Sequence, residues 1–479
     1  MGVCIIGGGL AGLATALKLK EQDRLSKVVV LEKNTPQSNT EISGMRYRAR
    51  TNVKGINSET EIADLLASRN AGKLTPAMIE FSTIALQGLD ALLKRGIPYE
   101  DRIEWFGPQL GNTHGNSTRG KSVLDYFRRL AKDSGVDFYK GEARRLEFTD
   151  GRITGVTMLD EAAVYQKVEA DSYILAGGSL GGRLFHSTNK GIRFTPQELA
   201  YQIGLPLLGS TLHMIHPFGN CTKEGLRKIG CHETDKLSEV EVYFTNGERD
   251  DETTGLLREH QAHYYFPEIS RRFMDNGGTV KLLFPGGNEL YAGVSYHYSH
   301  LAVATIDGVR VCGTENLLAV GDASGLGYQT NHQCRFPGFA LTKCLVDAEV
   351  CRRLFEGESL RQPVEIRRSE SEEEGRFDRK LESKIKDINT KHLFDTTFSI
   401  SGLNPDKISE AHIVDLKALG KKSSSCLLDI SLGAAFAHLR KGLDSTLREP
   451  LYFTKELVEE IKNQSGHEIS MGSFCERRK

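Results

Sequence analysis

An excess of either charge is missing from this sequence. Its 479 residues carry 62 Lys and Arg against 63 Asp and Glu. Such a balance provides no field to hold a nucleic acid or an anionic lipid surface, so neither is expected as a partner. Long apolar runs are also missing. None approaches the ~18 residues that span a bilayer, which argues against membrane insertion. The nine cysteines include no C-x-x-C pair. Cys221 and Cys231, with His232 beside the second, do not have the spacing of a metal site, and no metal is expected. Free thiols in a reducing, cytoplasmic compartment are the expectation. The first apolar strand begins at residue 2 or 3, which leaves no room for a signal peptide. There is no internal repeat and no low-complexity segment. With 39% hydrophobic and 26% charged residues, the chain reads as globular and has length for about two to four domains.

What is present begins at once, in "MGVCIIGGGLAGLATALKLKEQ". Val3 to Ile6 read as a buried parallel strand. Gly7, Gly9 and Gly12 then fit G-x-G-x-x-G, and apolar residues recur at helical spacing from Leu10 to about Lys20. Each glycine has a physical task. The first permits a tight turn, the second lets backbone approach a pyrophosphate, and the third lets helix and strand pack closely. Phosphates then sit at the helix N-terminus, beside Leu10 and Ala11, where free N–H groups favour anions. A second strand, Lys27 to Leu31, ends in Glu32 about 20 residues after Gly12, where the motif needs an acceptor for ribose hydroxyls; Lys33 follows it. An adenosine dinucleotide is implied, NAD or FAD.

A later segment decides between them. In "NLLAVGDASG" (316–325) an apolar strand delivers Gly321 and Asp322 about 300 residues downstream. A nicotinamide domain of about 150 residues needs nothing from so far away. FAD is longer, and its ribityl chain needs hydroxyl acceptors beyond the adenosine half, a role that suits Asp322. The rest of the first ~200 residues reads as α/β. "KSVLDYFRRLAKDSGVDFY" gives an amphipathic helix and a strand, "ARRLEFTDGRITGVTML" a hairpin turned at Asp150-Gly151, and "YILAGGSLGG" (173–182) another strand running into glycines. Beyond about Phe355, "RRSESEEEGRFDRKLESKIKD" reads as a solvated helix and "LLDISLGAAFAHLRKGL" as a packed one.

At this point the chain resembles the flavoprotein superfamily of succinate dehydrogenase, soluble fumarate reductase and L-aspartate oxidase. The likeness covers about residues 1 to 350. It is carried by "GGGLAGLATALKL", "SNTEISGM" (38–45), "ILAGGSLGG", "HMIHPFGN" (213–220), "SYHYSHLAV" (295–303) and "GDASGLGYQTNHQCRFPGFAL" (321–341). It implies an α/β fold, with a Rossmann-like, doubly wound FAD-binding domain interrupted by an α+β capping domain. The expected boundaries are 1–204 and 296–355 for the FAD-binding domain, 205–295 for the cap, and 356–479 for a mostly helical C-terminal region. The likeness assigns Asn39, Thr40, Ser43 and Gly44 to a loop re-entering toward the flavin. It puts Ala143 at the adenine, Ala176 and Gly177 near the adenosine half, and the backbone of Ala340 and Leu341 near the flavin N1–C2=O edge.

Enzymes of this superfamily move a hydride between flavin N5 and a carbon near a carboxylate, using two histidines and two arginines. By resemblance these are His216, His297, Arg335 and a proton-relay arginine. The relay position itself is Pro267 in "FPEISRRFMDNGG", so Arg271 or Arg272 is the candidate from one turn along. The family's carboxylate-binding Thr after His-Pro is Phe218 here. With Tyr296 and Tyr298 it points to a substrate with one carboxylate and an apolar or aromatic part. The expected activity is that of an FAD-dependent dehydrogenase or reductase of a small carboxylate-bearing molecule. An amino-acid oxidase like L-aspartate oxidase, and a flavin-binding subunit without turnover, are the alternatives. The electron acceptor stays open.

Some relatives attach FAD through a histidine close to the "SNTEISGM" segment. The first histidine of this chain is His114, so the FAD is expected to be non-covalent. Acid precipitation of the purified protein should leave a colourless pellet and a yellow supernatant; colour retained in the pellet contradicts the expectation.

Overall fold

The computed structural model describes residues 2–21, 27–33, 38–45, 47, 62–64, 67, 76–100, 109–112, 118–180, 195–209, 213–221, 234–259, 266–299, 301–306, 308–324, 339–356, 365–368, 430 and 451–463. The chain divides into two compact units. The first comprises Met1–Ser179, Phe194–Thr211 and Leu301–Lys479, and the second Leu180–Arg193 and Leu212–His300. Among the described residues no helix is long and apolar enough to cross a membrane, and no cluster of His, Cys, Asp and Glu could hold a metal ion.

The first unit is built on one sheet. Strand β1 (Gly2–Ile6) leads through the glycines into helix α1 (Leu10–Lys20) and strand β2 (Lys27–Glu32). Helices α2 (Asn39–Ile42) and α3 (Pro76–Lys94) follow, then the short pair β3 (Tyr99–Glu100) and β4 (Gln109–Leu110), and helix α4 (Arg119–Asp133). Next come strands β5 (Asp137–Thr149), β6 (Arg152–Asp160), β7 (Tyr165–Glu169) and β8 (Ser172–Leu175), helix α5 (Pro196–Gln202) and strand β9 (Leu207–Gly209). After the second unit the chain returns with β14 (Ala302–Val303), β15 (Leu317–Ala319), helix α8 (Phe339–Phe355), β16 (Glu365–Arg368), β17 (Leu451–Phe453) and helix α9 (Lys455–Asn463).

The large sheet has the order β15-β8-β1-β2-β5-β6-β7-β16. Its first five strands run parallel, and every residue of β1 and β8 is buried, as in a sheet covered on both faces. The other three pair antiparallel. Asp150 (φ 50°) and Gly151 (φ 79°) make the turn between β5 and β6, the two positive φ values that a tight two-residue hairpin requires. α1 is buried almost all round, from Leu10 to Leu17 and at Leu19, because it packs on the sheet and also against α8. Phe81 of α3 stacks on Phe339 at the start of α8, ring centroids 5.4 Å apart. Asn316 ties the late strand to the hairpin. Its Oδ1 accepts from Ile153 N–H at 2.8 Å, and its Nδ2 donates to the carbonyls of Ile153 and Asp171.

Two expectations differ from the described structure, and a third falls almost wholly outside it. Leu207–Gly209 pairs with β14 and β17 inside the first unit, so the interval 205–295 does not begin the second unit. Arg367 and Arg368, the start of the charged stretch expected to be helical, lie in β16, paired with β7; residues 369–387 are outside the described residues. The expected C-terminal packed helix is outside them too, except for Ile430, which is helical and buried.

The second unit holds a four-stranded antiparallel sheet, order β10-β13-β12-β11. Its strands are β10 (His213–Cys221), β11 (Glu241–Phe244), β12 (Thr279–Leu283) and β13 (Glu289–Ser299), with helices α6 (Asp251–Arg258) and α7 (Phe266–Asp275) between β11 and β12. Asp250 joins the two helices. It caps α6 by accepting from Thr253 N–H at 3.0 Å and from its hydroxyl at 2.5 Å. Arg272 of α7 donates to the same carboxylate at 2.8 Å and to Glu252 at 2.5 Å.

The Asp250 side chain is fully buried. Burial works against its charge, but the Arg272 guanidinium and the two Thr253 donors prevail and hold the carboxyl below the usual range. The stabilisation is therefore complete above the unfolded value of about 3.9 and is lost as pH falls through the lower folded value. Replacing Asp250 by Asn should cost about 2–4 kcal/mol at neutral pH. The deficit should shrink as thermal melts are taken toward and below pH ~4. A deficit independent of pH would remove the charge from this account.

Candidate flavin and substrate sites

The sheet order brings distant glycines together. β15, β8 and β1 are neighbours, and each ends in a glycine turn at its carboxyl end, where open α/β sheets bind their ligands. Gly7 has φ +122°, and a Cβ there would lie 2.6 Å from the Ala176 carbonyl carbon. Gly12 packs so tightly on the Gly7 carbonyl that no side chain fits. Gly321 has φ +63°, and a Cβ on it would come within 2.7 Å of the Ala11 Cβ. A Cβ on Gly177 would press on Pro196 at 3.1 Å. Gly9, the N-cap of α1, is different. A Cβ there would meet nothing closer than Thr40 Oγ1 at 3.6 Å. The space before the α1 N-terminus is open backbone cradle, which suits a pyrophosphate.

Thr40 reaches this cradle directly, since its Oγ1 accepts from Leu10 N–H at 3.4 Å. Asn39 and Thr40 open α2, which Ser38 and Glu41 cap reciprocally. α2 rests on the start of α4: Thr118 donates to the Glu41 carbonyl, and Gly120 leaves no room for a Cβ beside the Thr40 carbonyl. Ser43 Oγ accepts from Met45 N–H, and the Gly44 carbonyl accepts from Gln109 Nε2–H at 2.7 Å.

Carboxylates stand at both ends. At the end of β2, Glu32 pairs with Arg128 of α4, an arginine the sequence reading did not single out. Lys33 pairs with Glu142, which also binds Arg144, so Lys33 reaches the β5 segment that carries buried Ala143. At the other end, Asp322 follows Gly321 in a short 3-10 turn. Gln197 of α5, also missed, donates to the carbonyls of Leu301 (3.0 Å), Gly178 (3.4 Å) and Asp322 (3.5 Å). Its Oε1 is buried without a partner among the described residues. The hydroxyls and N–H groups of FAD are donors of the kind such an acceptor lacks. Two end carboxylates, an open backbone cradle and an orphaned acceptor fit FAD.

A second missed pair lies beneath the Gly321 turn, where Lys343 and Asp347 of α8 are both buried. Charged residues four apart in the apolar first half of the helix were the available signal. Ala340 and Leu341 form the first turn of α8, Leu341 buried. Arg335 is outside the described residues.

In the second unit His216 is buried in β10. Its Nδ1 accepts from Phe218 N–H at 3.2 Å, so the neutral ring carries its proton on Nε2. Ser295 of β13 donates to the His216 carbonyl at 3.3 Å. Phe218 is not a substrate contact in this arrangement. It is fully buried and packs edge-on against Phe273 of α7, centroids 5.7 Å apart, which corrects the expectation that it shapes the substrate. Arg272 pairs with Asp250 and Glu252. His297 lies in β13 and Arg271 in α7; their side chains are outside the described residues, as are those of Tyr296 and Tyr298.

Comparison with known proteins agrees with this architecture. A family model described as "FAD binding domain" matches residues 2–401. L-aspartate oxidase of Pyrococcus abyssi is 23% identical over 231 residues, which are 46% of this chain and 46% of that protein. The chain thus spans about half the length of this curated relative. A mutant quinol fumarate reductase of E. coli has a similar fold, with TM-score 0.64 at 16% identity, covering 92% of this chain and 87% of that one. Adenylylsulfate reductase of Archaeoglobus fulgidus has TM-score 0.54 at 12% identity, covering 97% and 89%. The chain belongs to the FAD binding domain family, and its cofactor is FAD.

Proposed function

We propose that this chain catalyses hydride transfer between bound FAD and a carbon of a small carboxylate-bearing substrate, as a dehydrogenase or reductase. The observation that carries the reading is the convergence of Gly7, Gly177 and Gly321-Asp322 at adjacent strand ends. It sets three glycine turns side by side at the carboxyl ends of neighbouring strands, which supports a dinucleotide lying across them. FAD supplies, when bound, a two-electron centre that takes up or delivers hydride. The chain's own residues supply the rest. Arg335 holds the substrate carboxylate through two parallel hydrogen bonds. His216 presents an Nε2–H donor to a substrate oxygen, and His297 a second. Arg271 or Arg272 carries the proton that accompanies the hydride.

In this reading the second unit, Leu180–Arg193 and Leu212–His300, serves as a capping domain, and residues 356–479 as a mostly helical region that completes the fold. The FAD is held non-covalently, and the described cysteines, none in a disulfide, suit a cytoplasmic, reducing compartment. A second reading has one observation in its favour. The likeness to L-aspartate oxidase supports an amino acid as substrate and oxygen as acceptor.

Anaerobic titration of the yellow protein with C4-dicarboxylates, amino acids and aromatic monocarboxylates tests both. The active acid should bleach the flavin absorbance, and the rate of recolouring in air separates an oxidase from a dehydrogenase. With that acid, Arg335→Lys should retain FAD and melting temperature yet lose about 30- to 1000-fold in kcat/KM, equivalent to roughly 2–4 kcal/mol of transition-state binding. A variant that sheds FAD or melts early shows that Arg335 holds its own loop instead. Unchanged flavin, melting and activity exclude both roles.

A further inference from the structure

Helix α8 packs against α1 and α3, yet its buried surface carries a lysine and an aspartate. Lys343 is 1% exposed and Asp347 not at all. Taking two charges out of water costs several kcal/mol each, and an apolar pair of similar volume is commonly as stable or more so. A role in holding the helix to its neighbours therefore explains little. What the pair does hold is specific. Lys343 Nζ donates to the Gly321 carbonyl at 3.0 Å, to Ser324 Oγ and to Asp347 Oδ2. Asp347 Oδ2 accepts from Gly321 N–H at 2.8 Å and from the Ser324 hydroxyl at 3.4 Å. One side-chain pair thus engages both backbone polar groups of Gly321.

That residue is where strand β15 turns. Its φ of +63° and the absence of room for a Cβ against Ala11 leave the turn dependent on outside anchors. On one side Val320 N–H donates to the Leu175 carbonyl at 2.9 Å. On the other stands the Lys343–Asp347 pair, with Asp322 the next residue along the chain. We propose that Lys343 and Asp347 are positioning residues for the cofactor. By gripping Gly321 they fix the turn that aims Asp322 at the ribityl hydroxyls of FAD. The proposal rests on the reading of Asp322 as the ribityl acceptor.

The test is selective weakening of one half of the cofactor. ADP occupies only the adenosine half, at Gly9 and Glu32, whereas FAD also needs the turn. Apoprotein of the full chain carrying Lys343→Met and Asp347→Leu together should fold, because both charges are removed. It should bind FAD at least about tenfold more weakly and ADP within about twofold of wild type. Ser324→Ala keeps both charges and loses one anchor; it should weaken FAD about threefold with unchanged melting. If the double variant does not fold, this milder variant decides. Equal loss of FAD and ADP binding, or FAD binding unchanged in either folded variant, overturns the proposal. Asp322→Asn separates the two levels. If it leaves FAD affinity intact, the reading of Asp322 fails; if it weakens FAD while the pair variants do not, only the positioning role fails.

Discussion

The cofactor site depends on close backbone approach where α1 begins. Gly12 lies against the Gly7 carbonyl, Gly7 against Ala176, and Gly321 against Ala11, at distances that admit no added Cβ. These contacts bring the ends of β1, β8 and β15 together and leave Gly9 facing open space. A methyl group at any of the three tight positions must push a strand end or the helix away. The rest of the first unit supports this contact. Parallel pairing sets the height of each strand end, and the buried surface of α1 against the sheet and α8 holds the helix down.

Charged side chains are paired on both sides of these glycine turns. Glu32 is engaged by Arg128 and Lys33 by Glu142, so the end of β2 is a network of paired charges and not a lone carboxylate. On the other side Lys343 and Asp347 hold a turn whose own residue, Gly321, contributes no side chain. The second unit follows another logic. Its polar residues serve its own fold first: Asp250 and Arg272 lock two helices, and Phe218 and Phe273 fill the space beneath the sheet. His216 Nδ1 accepts from its neighbour's N–H, which places the proton of the neutral ring on Nε2.

The fold was legible in sequence where signals are local. The strand–glycine–helix opening, the Asp150-Gly151 hairpin and the amphipathic α4 each follow from neighbours within a few residues. Gly321-Asp322 was legible because an apolar strand delivers it into a glycine turn. What sequence could not show depends on contacts across the chain. Arg272 reads as an available cation until Asp250, some twenty residues earlier, is seen beside it. Phe218 reads as a replaced ligand until Phe273 is seen packed on it. Gln197 has no local pattern at all, since its three acceptors lie in three separate segments. β16 and β17 are four and three residues long, too short for any periodicity to register.

Binding of FAD, FMN and ADP to the apoprotein, measured by titration of wild type and of Gly9→Leu, tests the central claim most directly. The account predicts tight FAD, weaker ADP competing with it, and poor FMN, because binding runs through the adenosine end and the pyrophosphate cradle. In Gly9→Leu a side chain fills the open cradle, so FAD and ADP binding should both be lost while the apoprotein melts near the wild-type temperature. FMN binding as tight as FAD, or a Gly9→Leu variant that still holds FAD, would contradict it.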